Sequence, residues 1–174
     1  GSGSSVSVSG TVSAEGEDAV GVKCADGGMI DVEGNVTVAG THSCGAHIAS
    51  SNGISSEIEI GGDIAVSGAG SRGAYLDSED AKLTVSGSVT VTGGKSGISA
   101  GRGEADIQGS VSAPETAINA WDGAAVSVLG NAASSGKDAV TISSTGAKID
   151  IKGSVTVSGS GGTGIVATAW DLTD

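Results

Sequence analysis

Apolar and polar positions alternate through almost the whole chain, and the alternation recurs as one short phrase. The phrase is Φ-x-Φ-x-Gly-x-Φ, where Φ is an apolar residue. Seven copies begin at Val6, Ile30, Ile58, Leu83, Ala105, Val126 and Ile149. Their glycines are separated by 24, 28, 25, 22, 21 and 23 residues. Repeats of about 20 to 50 residues indicate a solenoid, in which each repeat stacks on the one before it.

Each repeat contains three short extended segments. Period-two alternation predicts that each segment is a strand with one buried face. The first two flank the glycine, as at 149–151 and 155–157, and the third follows, as at 139–142. The turn dipeptides Asp26-Gly27, Asn52-Gly53 and Asp122-Gly123 all fall between the third strand and the next repeat. A turn once per repeat, rather than after every strand, favours a coil over an antiparallel meander.

Stacking the repeats as parallel strands about 4.8 Å apart places equivalent residues in columns. We expect the glycine to supply backbone φ angles that other residues resist. The inward column of the first strand is Val8, Val32, Ile60, Val85, Ile107, Val128 and Ile151. The inward column of the second strand is Val12, Val36, Ile64, Val89, Val111, Ala132 and Val155.

This layout resembles the right-handed parallel β-helix family, which includes pectate-lyase-like enzymes and autotransporter passenger domains. Residues 5–168 carry the resemblance, and the segments GSVTVTG at 87–93 and GSVTVSG at 153–159 look like those of large bacterial surface proteins. The resemblance implies an all-β, right-handed parallel β-helix of about seven rungs, each of three short strands. A right hand is also the general rule for parallel crossovers. We assign 1–4 to a linker, 5–168 to a single β-helix domain and 169–174 to a C-terminal cap or tail.

The composition fits a core of thin layers. Among 174 residues there are 32 Gly, one Pro, no Phe, one Tyr and two Trp, so the interior must consist of Val, Ile and Ala. The net charge is −12, and the eight Lys and Arg are spread along the chain. We therefore expect no nucleic-acid partner and no affinity for anionic membranes. No apolar run is long enough for a membrane-spanning helix, so we expect no membrane insertion.

The sequence offers little for catalysis, and we predict neither an enzyme nor a cofactor. The pectin-hydrolase motifs of the resembled family, Asn-x-Asp, paired Asp, Gly-His-Gly and Arg-x-Lys, are not present, so no catalytic residue is assigned. Glycoside hydrolysis needs two carboxyl groups at a fixed separation. The adjacent acids at 17–18 and 79–80 lie in predicted turns, where solvated carboxylates are expected. The only arginines, Arg72 and Arg102, lie on different repeats.

Two of the three outward columns are predicted to be plain solvated faces. The first-strand column is Ser7, Asp31, Glu59, Thr84, Asp106, Ser127 and Asp150, which we interpret as an acidic surface rather than a calcium site. The second-strand column is Ser13, Thr37, Ala65, Thr90, Ser112, Ala133 and Thr156. It is single and interrupted by two Ala, which argues against the regular Thr arrays of ice-binding solenoids.

The outward face of the third strand differs from the others. Its predicted column is Gly21, His47, Tyr75, Ser99, Asn119, Thr141 and Val166, with Asp77, Arg102 and Trp121 close by. Sugars stack on Tyr and Trp and form hydrogen bonds with Asn, Asp and Arg. The candidate binding residues for a glycan or host-surface ligand are therefore His47, Tyr75, Arg102, Asn119 and Trp121. An irregular surface without a ligand is the alternative.

Cys24, His42, Cys44 and His47 cluster in the first two repeats and include the N and S ligands that structural zinc prefers. The predicted register separates the two Cys by about six positions, roughly 20 Å at about 3.3 Å per residue. A disulfide requires Cα atoms within about 7 Å. Free thiols are favoured, a disulfide and a zinc site stay open, and no metal is assigned.

The sequence favours a non-catalytic structural or adhesin-type module of a secreted or surface bacterial protein. The alternatives are a carbohydrate-binding module that uses the third strand, and a degenerate polysaccharide lyase. Trp170 and Leu172 are expected to cover the C-terminal end of the core. The first strand, near Ser5, has no comparable cap, although solenoids usually cover their ends. We therefore expect either excision from a longer β-helix or end-to-end self-association through the N-terminal rung.

Overall fold

The computed structural model describes residues 3–49 and 54–169, and within these ranges it contains strands and no helix. The strands form three parallel sheets of seven. The first sheet contains β1 (Ser5–Val8), β4 (Met29–Val32), β7 (Ser56–Ile60), β10 (Ala81–Val85), β13 (Glu104–Ile107), β16 (Ala125–Val128) and β19 (Lys148–Ile151). The second contains β2 (Val12–Glu15), β5 (Val36–Ala39), β8 (Ile64–Ser67), β11 (Val89–Thr92), β14 (Val111–Ala113), β17 (Ala132–Ser134) and β20 (Val155–Val157). The third contains β3 (Val20–Cys24), β6 (Cys44–Ala49), β9 (Arg72–Asp77), β12 (Ser96–Ala100), β15 (Thr116–Trp121), β18 (Val140–Thr145) and β21 (Thr163–Thr168).

Consecutive strands belong to different sheets, and each strand pairs with the strands three before and three after it in the chain. The chain therefore passes once through every sheet in each rung, meaning one full circuit of the coil. The predicted all-β parallel solenoid of about seven rungs is confirmed. Its right hand stays a prediction from the rule for parallel crossovers.

The ends of the predicted domain are partly described. The amide of Met29 donates to the carbonyl of Ser4 at 2.8 Å, so pairing extends one residue into the predicted linker. The expected cap residues Trp170 and Leu172 lie outside the described residues, as does the turn at Asn52-Gly53.

The register confirms the two inward columns. Val85 pairs with Ile60 on one side and with Ile107 on the other. In the second sheet, Val89 pairs with Ile64 and Val111. These residues are fully buried in one core of Val, Ile and Ala, as the composition required.

Sharp corners separate the third strand of one rung from the first strand of the next. Asp26 and Gly27 have φ angles of 51° and 85°, and Asp122 and Gly123 have 52° and 86°. Two successive positive φ angles define the tight turn that Asp-Gly favours. The interpretation of these dipeptides as corners of a coil is correct for both described pairs.

We expected the glycine of the repeated phrase to adopt a positive φ, and this prediction is wrong. No glycine of this column has a φ in the left-handed region. Instead, the amide of Gly109 donates to the carbonyl of Gly87 at 2.9 Å, and the amide of Gly130 donates to the carbonyl of Gly109 at 3.0 Å. A Cβ on Gly109 would lie 2.5 Å from the carbonyl oxygen of Gly87, closer than real Cβ atoms approach. Glycine is required here because two backbones nearly touch.

A ladder of side-chain oxygens lies beside the glycine column. In five of the repeats, the residue after the glycine accepts a hydrogen bond from the backbone N–H of its counterpart in the next rung, which satisfies a donor at the bend between two sheets. The acceptor–donor pairs are Asn35 Oδ1 with Asp63 at 2.8 Å, Asp63 Oδ1 with Ser88 at 2.7 Å, Ser88 Oγ with Ser110 at 3.1 Å, Ser110 Oγ with Asn131 at 3.0 Å, and Asn131 Oδ1 with Ser154 at 2.8 Å.

The third strand departs from strict alternation, because two consecutive residues face the core. A Cβ on Gly73 would contact Cγ1 of the core residue Val89, and the next residue, Ala74, is also fully buried. Tyr75 then faces outward. Similarly, a Cβ on Gly21 would lie 2.5 Å from the Cγ1 atom of Val36.

This double inward step corrects two positions of the predicted outward column. Lys23, not Gly21, pairs with His47. Ser143, not Thr141, pairs with Asn119. Thr141 is fully buried, and its hydroxyl lies 2.7 Å from that of Ser134. The corrected outward column is Lys23, His47, Tyr75, Ser99, Asn119, Ser143 and Val166.

Truncation of Ile107 to Ala should lower the free energy of unfolding by about 2–5 kcal/mol, because the side chain is buried between two rungs. Replacement of its exposed neighbour Asp106 by Ala should cost less than about 1 kcal/mol. Urea denaturation of both variants measures the difference. Equal costs would contradict the register, since a slip of one residue exchanges the two faces.

Gly109→Ala should destabilise the fold by about 1–3 kcal/mol, because the added methyl group collides with the backbone of the rung before it. Gly10 occupies the same place in the first repeat, but a Cβ there would meet nothing within 4 Å. Gly10→Ala should therefore be neutral or stabilising by up to about 1 kcal/mol, through loss of unfolded-state freedom. Thermal and urea unfolding of this matched pair test the steric explanation. Similar losses of stability in both variants would show that backbone conformation is the cause instead.

Candidate functional site

A shallow groove crosses the outer face of the third sheet at β9, β12 and β15, with a volume of about 230 Å³. Ser96 and Ser99 of β12 lie in the middle strand, and both are almost fully buried. Register pairs Ser99 with Tyr75 on one side and with Asn119 on the other. The lining residues are Arg72, Tyr75, Lys95, Ser96, Ser99, Thr116, Asn119 and Trp121.

The groove exists because one rung carries short side chains between two rungs with larger ones. The backbones of β9 and β15 are two strand spacings apart, about 9.6 Å at about 4.8 Å each. The indole of Trp121 extends back over Gly101, the residue after β12, since a Cβ on Gly101 would lie 3.0 Å from its ring atoms. Trp121 therefore limits the groove where β12 ends.

Tyr75 is the centre of a small aromatic and cationic group. The guanidinium carbon of Arg72 lies 5.3 Å from the centroid of the Tyr75 ring, within cation–π range. The His47 ring lies 5.3 Å from the same ring at an interplanar angle of 40°. Arg72 and His47 thus hold the tyrosine ring in place from its own rung and from the rung before it.

The two titratable rings are uncharged at neutral pH. Burial, followed by the positive charge of Lys23, lowers the pKa of His47 below its ordinary value of 6.5. Burial, followed by the negative charge of Asp77, raises the pKa of the Tyr75 hydroxyl. At pH 7 the imidazole is therefore neutral, and the phenol keeps its proton and can donate a hydrogen bond.

The groove lining contains two positively charged residues, Arg72 and Lys95, and the Asp77 carboxylate interacts with Tyr75 at its edge. Among the described residues, Arg72 and Lys95 form no ion pair, and neither do Lys23 and Lys148, whereas Lys82, Arg102, Lys137 and Lys152 each have a carboxylate partner. The strands of the third sheet contain one carboxylate, Asp77. The strands of the first sheet contain Asp31, Glu57, Glu59, Glu104, Asp106 and Asp150.

The fold brings most of the sequence-predicted binding residues together. Tyr75, Asn119 and Trp121 line the groove, and His47 packs against Tyr75 at its edge. Arg102 does not line it. Its guanidinium binds Asp122 at 2.6 Å and Glu79 at 3.1 Å, at the corner that follows β12.

Four lining residues were not among the sequence predictions: Arg72, Lys95, Ser96 and Thr116. Arg72 and Ser96 precede the glycine of the double inward step, so each occupies an additional outward position at the start of its strand. The signal was present in the sequence. A glycine recurs at the second residue of β3, β6, β9 and β12, and its alignment would have placed the preceding residue outside.

The cysteines lie closer in register than predicted, but both are free thiols. Cys24 pairs with Ile48 and Cys44 with Val20, which gives a stagger of four residues rather than six. Cys24 belongs to the core, whereas the thiol of Cys44 donates to the carbonyl of Ala46 at 3.2 Å. Burial raises the pKa of Cys44 to about 12, so this thiol is protonated at neutral pH.

The acidic column of the first sheet has the predicted register, with Asp31 beside Glu59 and Asp106 beside Ser127. Within 3–49 and 54–169, no group of three His, Cys, Asp or Glu side chains is arranged to hold a metal ion. The same part of the chain contains no helix long and apolar enough to cross a membrane.

Comparison with known proteins returns no match. No family model, no curated protein and no solved structure is similar to this chain at a significant level.

Proposed function

We propose that the chain is a non-catalytic, adhesin-type solenoid module of a secreted or surface bacterial protein, related to the right-handed parallel β-helix family. The repeated phrase and the three continuous sheets support this proposal. In such a stack the inward columns provide stability, and the outward columns are free to carry a binding surface.

We propose further that the module binds a glycan in the groove of the third sheet. The observation that carries this proposal is the placement of Tyr75 and Trp121 around a floor of serine hydroxyls, with Asn119 across Ser99 from Tyr75. Aromatic rings offer apolar surfaces to a sugar ring, while hydroxyl and amide groups bind its hydroxyls. Glycoside hydrolysis instead uses two opposed carboxyl groups, so this lining favours binding over catalysis.

Tyr75→Ala and Trp121→Ala should each weaken glycan binding by about tenfold or more without unfolding the chain, since both side chains lie outside the core. Titration calorimetry with a ligand identified on a glycan array measures the affinity, and circular dichroism checks the fold. Arg102→Ala is the matched control, because Arg102 lies outside the groove lining, and it should leave the affinity unchanged. Full affinity in both aromatic variants would exclude the groove. Formation of unsaturated products from polygalacturonate would instead favour the lyase alternative.

A second proposal is end-to-end association through the N-terminal rung, β1 to β3. These strands end their sheets, so each has one unpaired edge among the described strands. Val6 is 52% exposed there, although its counterparts in the middle rungs are buried. An apolar end layer with free backbone donors and acceptors favours pairing with another chain.

Light scattering at increasing protein concentration should therefore show growth beyond the monomer. Val8→Lys should suppress this growth, because it places a charge in the half-buried end layer. Ser7→Lys, which changes the outward neighbour, should have a smaller effect. A wild-type protein that stays monomeric at millimolar concentration would rule out this association.

A further inference from the structure

We propose that the groove selects a sugar that carries a negatively charged oxyanion, a carboxylate or a sulfate, with Arg72 and Lys95 as the recognition residues. This inference rests on the proposed glycan-binding function and names the class of glycan that the groove takes.

The first argument is the charge at the groove. Arg72 and Lys95 line the same small depression, neither has a carboxylate partner among the described residues, and no carboxylate is part of the lining. An anion bound in the groove would be attracted by both positive charges. Lys23 and Lys148 also lack a carboxylate partner among the described residues, but neither lines the groove.

The second argument is that the scaffold fixes the guanidinium of Arg72 and the backbone of Lys95. Arg72 is the first residue of β9 and pairs with Ser96, and its guanidinium packs on the Tyr75 ring. The backbone of Lys95 is held on two sides: its amide donates to the carbonyl of Ser71 at 2.7 Å, and its carbonyl accepts from the amide of Thr116 at 3.1 Å. Little backbone freedom is lost when a ligand binds, which favours affinity.

The third argument is the chemistry of the remaining lining. A guanidinium presents two parallel N–H donors that match the two oxygens of a carboxylate or sulfate. The hydroxyls of Ser96 and Ser99 lie 2.7 Å apart on the floor of the groove. Tyr75 and Trp121 then remain for the apolar faces of the sugar ring. A volume of about 230 Å³ is below the roughly 300–1,000 Å³ of pockets for drug-sized ligands, which fits a single sugar unit.

A glycan array that contains neutral, carboxylated and sulfated members tests the inference, followed by calorimetry on the strongest ligand and its uncharged analogue. We expect charged glycans to bind at least about tenfold more tightly than the analogue, and high salt to weaken their binding. The carboxylated and sulfated members of the array identify which oxyanion is the natural one.

Arg72→Gln and Lys95→Gln should each reduce affinity for the charged ligand by about tenfold, the loss expected for one hydrogen bond to a charged group. Lys148→Gln is the matched control, since it removes one exposed positive charge from the first sheet and should change nothing. Lys95 is exposed, so its variant is expected to fold even where Arg72→Gln reduces stability, and circular dichroism verifies both.

Equal binding of neutral and charged glycans would overturn the charge selection and leave the glycan-binding groove in place. The inference would also be overturned if Arg72→Gln and Lys95→Gln both kept the wild-type preference for charged glycans, because recognition would then lie elsewhere. No binding to any member of the array would overturn both this inference and the proposed glycan-binding function.

Discussion

The close contact between successive glycines is the constraint on which the remaining structure depends. At Gly109 the amide bonds the carbonyl of Gly87, and that carbonyl occupies the space that a Cβ would need. Each contact fixes one rung over the rung before it at a single point. Because the side-chain period of a strand is two residues, one fixed point sets the facing of every residue in the strands on either side. The oxygen ladder of Asn35, Asp63 and Ser88 adds a second fixed point one residue later.

Where alternation is strict, the sequence is sufficient to predict the structure. The inward columns through Val85 and Val89 follow directly from the repeated phrase, because one apolar residue at every second position has only one burial pattern. The role of the glycine could not be predicted in the same way. Glycine is selected both at a bend that needs a positive φ and at a contact that leaves no room for a Cβ. Only the short distance between a Cβ on Gly109 and the carbonyl oxygen of Gly87 distinguishes the two explanations.

Period-two alternation did not predict the facing of residues in the third strand, because Gly73 and Ala74 both face the core. Glycine is required at residue 73 itself, since a Cβ there would contact Val89 of the neighbouring sheet. The period-two rule therefore misplaced Gly21 and Thr141 and missed Arg72. The aromatic members of the site could be found from composition, since the chain contains so few aromatic residues. The groove could not be predicted from composition, because it arises where the short side chains of β12 lie between the larger side chains of β9 and β15.

Stacking also governs where charge can be placed on a solenoid. Equivalent residues lie one rung apart, so a repeated charge repels its own copies unless an opposite charge intervenes. In the first sheet Lys82 lies between Glu57 and Glu104 in register and binds Glu57 at 2.8 Å. In the third sheet the corresponding compensation is missing at Arg72 and Lys95. Outward residues contribute little to stability, so the fold tolerates this imbalance, and the anionic ligand that we propose would supply the missing negative charge.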